Sequence, residues 1–128
     1  MGEFVVSDTT VHFWPKEVLT HAAGSDDVLL LVAENQAIVG FLVVNYNKGL
    51  KKALVENLYV QPGSRGQGVG AALLSEMLRL LPTMDCEYVA TLVPLNAQSA
   101  IELYASNGFN EGEQFIWLDK NLTDTLKR

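Results

Sequence analysis

The sequence predicts a mixed α+β domain in which helices cover a mostly antiparallel sheet. Apolar, β-rich runs follow one another between residues 28 and 60 with short polar turns between them. A strongly apolar stretch of helical period comes after Gly68, and a further strand and helix follow Pro82. Runs of strands followed by alternating helix and strand suit helices packed on a sheet better than a parallel doubly wound fold.

Taken in order, Glu3 to Val6 is a short strand candidate. Pro15 stands where a helix begins, with Val18, Leu19 and Ala22 at helical spacing up to Gly24. Val28 to Ala33 and Ala37 to Val44 form a hairpin across Glu34-Asn35-Gln36, and Asn45 to Gly49 is a second turn by composition. Lys52 to Val60 is then a third antiparallel strand. Unbroken alternation places Leu54, Glu56, Leu58 and Val60 on one face and Ala53, Val55, Asn57 and Tyr59 on the other.

Pro62-Gly63-Ser64 breaks that strand. The next helix carries Val69, Leu73, Met77 and Leu80 on one side, and its polar stripe is limited to Ser75, Glu76 and Arg79, so it is largely buried. Pro82 ends it. Glu87 to Val93 is another strand, stopped by Pro94. Ala97 to Ser106 is a helix closed by Asn107-Gly108, and Phe109 opens a last hairpin returning through Phe115 to Leu118.

One domain over 1–128 accommodates all of this, since a chain of 128 residues buries about two-thirds of its unfolded surface. Nine Lys and Arg against 15 Asp and Glu give a net charge of −6, which repels nucleic acid and weakly favours cationic partners. The lone Cys86 offers no disulfide framework and no cysteine metal site, and no metal is expected. No basic patch with an apolar run marks a leader at the N-terminus. Ala37 to Val44 is the longest apolar run, far below the ~20 residues that cross a bilayer. The expected compartment is the cytoplasm, without a membrane partner.

Arg65-Gly66-Gln67-Gly68-Val69-Gly70 places glycines directly at a helix N-terminus. Gly70 costs about 1 kcal/mol there against alanine. The compensating gain is converging backbone N–H groups that, with the helix dipole and Arg65, cradle an anion. A plain helix cap with a flexible entry loop is the other reading of the same residues. Ala71-Ala72 stand where a P-loop requires Lys and Ser or Thr, which excludes that motif. Gly66, Gly68 and Ala71 formally match a dinucleotide fingerprint, but Gln61 to Arg65 separate it from the strand.

The run from Val60 to Leu74 resembles the acetyl-CoA-binding motif of the GCN5-related N-acetyltransferases, and Glu56-Asn57-Leu58-Tyr59-Val60 resembles that family's fourth strand. Tyr104-Ala105-Ser106-Asn107-Gly108-Phe109 resembles the second motif, in which Tyr is followed four residues later by Gly-Phe. The likeness covers roughly residues 28 to 121, and it departs from the family in two places. Asn96 precedes Tyr104 by eight residues where the family has seven, and the stretch before Val28 is short, giving a reduced N-terminal helical region. An incomplete acceptor wall of that kind favours an open pocket or a homodimer.

This resemblance implies an N-acetyltransferase that moves acetyl from acetyl-CoA to a primary amine of a small molecule or peptide, by direct attack on the thioester. A catalytically silent acyl-CoA-binding module and an enzyme using a longer acyl-CoA are the competing readings. The family's bulged fourth strand, carried onto this sequence, makes Leu58 and Val60 the backbone donors to the thioester and pantetheine, with Tyr59 between them. Arg65, Gly66, Gln67, Gly68, Val69 and Gly70 would hold the pyrophosphate and Asn96 the pantetheine. Tyr104 becomes the general acid toward sulfur, against the alternative of a core tyrosine. Glu56 becomes the general base, against that of a surface carboxylate. His12 and His21 read as solvated helix residues, and Phe13, Trp14 and Trp117 as core, dimer or acceptor contacts.

Overall fold

The computed structural model describes residues 5–7 and 28–123. The expected helix from Pro15 to Gly24, and with it Glu3, His12, Phe13, Trp14 and His21, lies outside the described residues.

Within them the strands β1 (Val5–Ser7), β2 (Val28–Asn35), β3 (Ala37–Asn47), β4 (Lys52–Val60) and β5 (Tyr88–Thr91) form one sheet in sequential order. Neighbours are antiparallel from β1 to β4, and β5 runs parallel to β4. Helix α1 (Val69–Leu80) leads into β5, and α2 (Gln98–Ser106) follows it. The predicted mixed, mostly antiparallel sheet flanked by helices is therefore the observed fold.

α1 lies on one face of the sheet. Leu73, Leu74 and Met77 are fully buried there against Leu31, Leu42 and Val44, at about 1.5–3 kcal/mol per side chain. Leu30, Val32, Ile38, Phe41 and Val43 form a second buried cluster on the other face. Ser75 and Arg79 are exposed and Glu76 half-buried, as the narrow polar stripe of α1 requires. Gly40 in β3 permits the close approach of α1: a Cβ there would stand 2.8 Å from the Tyr59 carbonyl oxygen and 3.0 Å from Val69 Cγ1.

Several boundaries differ from expectation for physical reasons. β3 continues through Asn45, Tyr46 and Asn47, because Tyr46 buries its ring in the core and donates its hydroxyl to the Met84 carbonyl at 2.6 Å. The reversal then falls on residues 48–51, where the Leu50 N–H donates to Asn47 Oδ1. Beyond α1, Pro82 opens a short 3-10 turn, Leu81–Met84, which Asp85 closes in the left-handed region. β5 is shorter than predicted because its pairing with β4 stops at Val55 and Thr91.

The predicted final hairpin does not form. Residues 109–123 contain no strand. Phe109 is drawn away, its ring packing edge-on against Tyr104 at 5.1 Å between centroids. Phe115 to Leu118 is an unbroken apolar run without the period-2 alternation that would assign one face to a core. Phe115 is 78% and Leu118 87% exposed.

The alternation expected along β4 also fails at one point. In the β3–β4 register Val44 opposes Val55 but Val43 opposes Asn57, leaving Glu56 as the extra residue of a β-bulge. Ala53 and Val55 face α1 before it, and Leu58 and Val60 face α1 after it. Glu56 therefore does not share a face with Leu58, and Asn57 and Tyr59 lie on the opposite side from the α1 core.

Candidate active site

The bulge also changes where the backbone of β4 points. In a strand, the N–H and C=O of one residue face the same neighbour and alternate along the chain. Gln61 donates its N–H to the Val39 carbonyl of β3 at 2.7 Å. By alternation Tyr59 also faces β3, whereas Leu58 and Val60 face the opposite edge. The Val60 carbonyl on that edge accepts from Arg65 Nε at 3.0 Å. Before the bulge the parity is reversed: Val55 presents its carbonyl toward β5 and accepts from Thr91 Oγ1 at 3.3 Å. The extra residue thus turns the Leu58 and Val60 N–H groups toward the open edge, where β5 has already ended.

Tyr104 stands beside this opening. It is 7% exposed and packs on α2 as part of the α1-face core. Burial holds its phenol protonated above the ordinary tyrosine range, and a hydrogen-bonding contact with the Thr91 side chain offsets part of that rise. Thr91 and Val55 are the last paired residues of β5 and β4, so the phenol lies where the two strands part. The turn after α2 explains the spacing from Tyr104 to Gly108-Phe109. Gly108 takes φ 91 and the Phe109 N–H returns to the Tyr104 carbonyl at 3.1 Å, a left-handed closure that brings the Phe109 ring against the phenol.

The glycine loop divides into two kinds of glycine. Gly66 and Gly68 adopt φ 78 and 82, and a Cβ on either would meet nothing within 4 Å. Their backbone is exposed and left-handed, with Gly68 as the N-cap of α1. Gly70 is buried, and a Cβ there would meet Leu103 Cδ2 at 3.0 Å. Its first requirement is the approach of α2 to α1, a packing reason the sequence reading did not supply. The first α1 hydrogen bond runs from the Ala72 N–H to the Gly68 carbonyl, so the N–H groups of Val69, Gly70 and Ala71 precede the helical ladder. Gln67 Nε2 reaches the Gly63 carbonyl at 3.5 Å, and Arg65 is exposed with its Nε on the Val60 carbonyl.

Glu56 is exposed at the bulge, on the face away from Tyr104, where it accepts a hydrogen bond from Asn45 Nδ2 at 2.8 Å. Asn96 is exposed in the turn between β5 and α2, where the Ala97 N–H donates to the Pro94 carbonyl. Leu58, Val60, the loop from Arg65 to Gly70 and Tyr104 are thus gathered around the end of β4. The Tyr59 N–H belongs to the β3 ladder instead. Asn45 and Thr91 are neighbours the sequence did not single out: Asn45 read as a turn residue, and Thr91 as an ordinary strand residue. Trp117 is exposed and its Nε1 donates to Asp119 Oδ2. Among the described residues no group of three or more His, Cys, Asp or Glu is placed to hold a metal. No helix among them is long and apolar enough to cross a membrane.

The acetyltransferase (GNAT) domain matches residues 25–111 as a family model. No curated protein matches the sequence. Among solved structures, the ribosomal-protein-S18-alanine N-acetyltransferase from Escherichia coli is similar with a TM-score of 0.72 at 21% identity, over 87% of this chain and 80% of that one. An aminoglycoside acetyltransferase from an uncultured soil metagenomic sample gives 0.76 at 20%, over 88% and 77%. An aminoglycoside N-acetyltransferase in complex with CoA gives 0.71 at 19%, over 82% and 84%. At these identities the likeness is one of fold.

Proposed function

The chain belongs to the GNAT acetyltransferases, and from that premise we propose that it transfers acetyl from acetyl-CoA to a primary amine by direct attack on the thioester. The observation that carries this reading is the pair of Leu58 and Val60 N–H groups, turned by the Glu56 bulge to an open strand edge beside the Tyr104 phenol.

The residues present suit such a substrate. Gly66 and Gly68 leave room for close approach of an anion. The free N–H groups at the start of α1, with Gln67, Val69 and Gly70 around them, favour negative charge there. Arg65 retains donors for a phosphate, and Asn96 is placed on the loop that would flank the pantetheine. Tyr59 supports the two donor residues by fixing the peptide between them to β3.

The Leu58 and Val60 N–H groups stabilise the charge that develops on the carbonyl oxygen. Tyr104, kept protonated by burial, gives its proton to the departing sulfur. Glu56 takes a proton from the acceptor on the opposite face of the sheet, so that acid and base approach the opening from different sides. The similar proteins named above act on an aminoglycoside and on a ribosomal-protein alanine, which supports an amine acceptor here. The exposed apolar run Phe115 to Leu118 supports a homodimer that covers it, and the composition supports a cytoplasmic protein.

The test is thermal melting with acetyl-CoA, followed by thiol release with a panel of amines. A raised melting temperature and amine-dependent release are expected. Unchanged melting at millimolar acetyl-CoA refutes the reading.

A further inference from the structure

Asn45 opposes Leu54 in the β3–β4 register, yet its side chain reaches past that partner to Glu56, Nδ2 to Oε1 at 2.8 Å. Ala53 and Val55 face α1, so Leu54 and Glu56 lie with Asn45 on the opposite face, and Glu56 is Asn45's diagonal neighbour across the two strands. The bulge begins at Glu56 and changes the parity of the residues after it. Among the described residues no Lys or Arg lies within ion-pair distance of Glu56. From β3 the carboxylate faces a neutral amide, and from its own strand its neighbours on that face are the uncharged Leu54 and Asn57.

That choice of partner has a chemical consequence. A guanidinium or ammonium at this distance would hold a carboxylate ionised and make it a poor proton acceptor. An amide donor fixes one oxygen in place, leaves the net charge intact, and leaves Oε2 with its acceptor capacity for an incoming N–H. A carboxylate on an exposed bulge would otherwise sample several rotamers.

We propose that Asn45 is a positioning residue that holds Glu56 in place as the proton acceptor for the amine. The inference rests on the reading of Glu56 given above. Glu56 takes one proton from the acceptor's ammonium, and the freed nitrogen forms the C–N bond as the C–S bond breaks. The thiolate takes the Tyr104 proton, the nitrogen's surplus proton restores Tyr104, and the proton on Glu56 leaves to solvent.

Three variants, Asn45→Ala, Asn45→Asp and Glu56→Gln, test it by kcat, KM for acetyl-CoA, melting with and without acetyl-CoA, and the pH profile of kcat/KM for the amine. Asn45→Ala is expected to lower kcat roughly 10-fold to 100-fold, with KM for acetyl-CoA and the melting shift unchanged. Asn45→Asp replaces the donor by a second carboxylate. The two then share a proton, and the acidic limb of the profile moves to higher pH than in the unsubstituted protein. An Asn45→Ala enzyme with full kcat, or an Asn45→Asp enzyme with an unmoved acidic limb, overturns the inference. If Glu56→Gln abolishes turnover while both Asn45 variants behave as wild type, only Asn45's role fails. If Glu56→Gln is fully active, the base assignment fails and Asn45's role with it.

Discussion

Gly40→Ala is the substitution that most directly links packing to the proposed site. Its Cβ would fall 2.8 Å from the Tyr59 carbonyl oxygen, 3.0 Å from Val69 Cγ1 and 3.4 Å from Leu73 Cδ1. Two of these are ends of side chains and can give by a few tenths of an ångström, but the carbonyl belongs to the β4 backbone. Overpacking of this kind costs about 1–3 kcal/mol, and alanine recovers up to about 1 kcal/mol by restricting the unfolded chain. A backbone clash favours the upper part of the range, for a net loss of about 2 kcal/mol. With an unfolding entropy of about 2.1 cal/mol/K per residue, the melting temperature should fall by roughly 7 °C. The Tyr59 carbonyl and the Val60 N–H are two ends of one peptide plane, so relief of the clash tilts that donor. Acetyl-CoA should then raise the melting temperature of the variant less than that of the parent. Gly49→Ala, whose Cβ would meet only Asn47 Oδ1 at 3.5 Å, is the control and should leave melting within ~0.5 kcal/mol. A Gly40→Ala protein melting at or above the parent temperature refutes the argument.

Gly68→Ala introduces no contact but must hold φ 82, so it should lose about 1–2 kcal/mol in chemical denaturation. Tyr104→Phe should lower kcat on the order of 100-fold or more with KM for acetyl-CoA nearly unchanged, as steady-state kinetics would show. The raised titration of Tyr104, caused first by burial, means the acid is present at neutral pH and lost only as pH rises above the ordinary value of 10.0. In Thr91→Val the contact that lowers it is gone, so the alkaline limb of the kcat profile should move further up; a limb that moves down contradicts that placement of Thr91.

Much of this architecture is legible in the residues. The limits of β4 follow from Gly49 before it and Pro62 after it, and α1 announces itself by a nearly continuous apolar surface broken at Ser75, Glu76 and Arg79. The left-handed closure after Ser106 follows from Asn107-Gly108. The bulge is different. Leu54, Glu56, Leu58 and Val60 alternate as cleanly as any regular strand, and only the position of α1 decides that Val55 and Leu58, three residues apart, must share a face. The role of Gly70 escaped for a similar reason, since its constraint comes from Leu103, 33 positions later in the chain. Local glycine chemistry explains Gly66 and Gly68, whereas Gly70 is a matter of tertiary contact.

The bulge ties the hydrophobic core to the proposed chemistry. Suppose β4 kept the parity of Val55 to its end. Asn57 and Tyr59 would then turn their N–H groups to the open edge, and Leu58 and Val60 would point their side chains away from α1. Val60 would no longer pack beneath the start of α1, where its Cγ2 lies 3.8 Å from the Cβ position of Gly70. Packing the half-buried Leu58 and Val60 under the helix, at up to about 1.5 kcal/mol each, requires one inserted residue before them. The same insertion fixes their N–H groups on the edge where β5 has ended, while Glu56, placed by the parity of Val55, meets Asn45 on the far face. The orientation of the donors therefore follows from core packing, and a change that leaves every polar residue intact but relaxes the contact between α1 and β4 should impair both together.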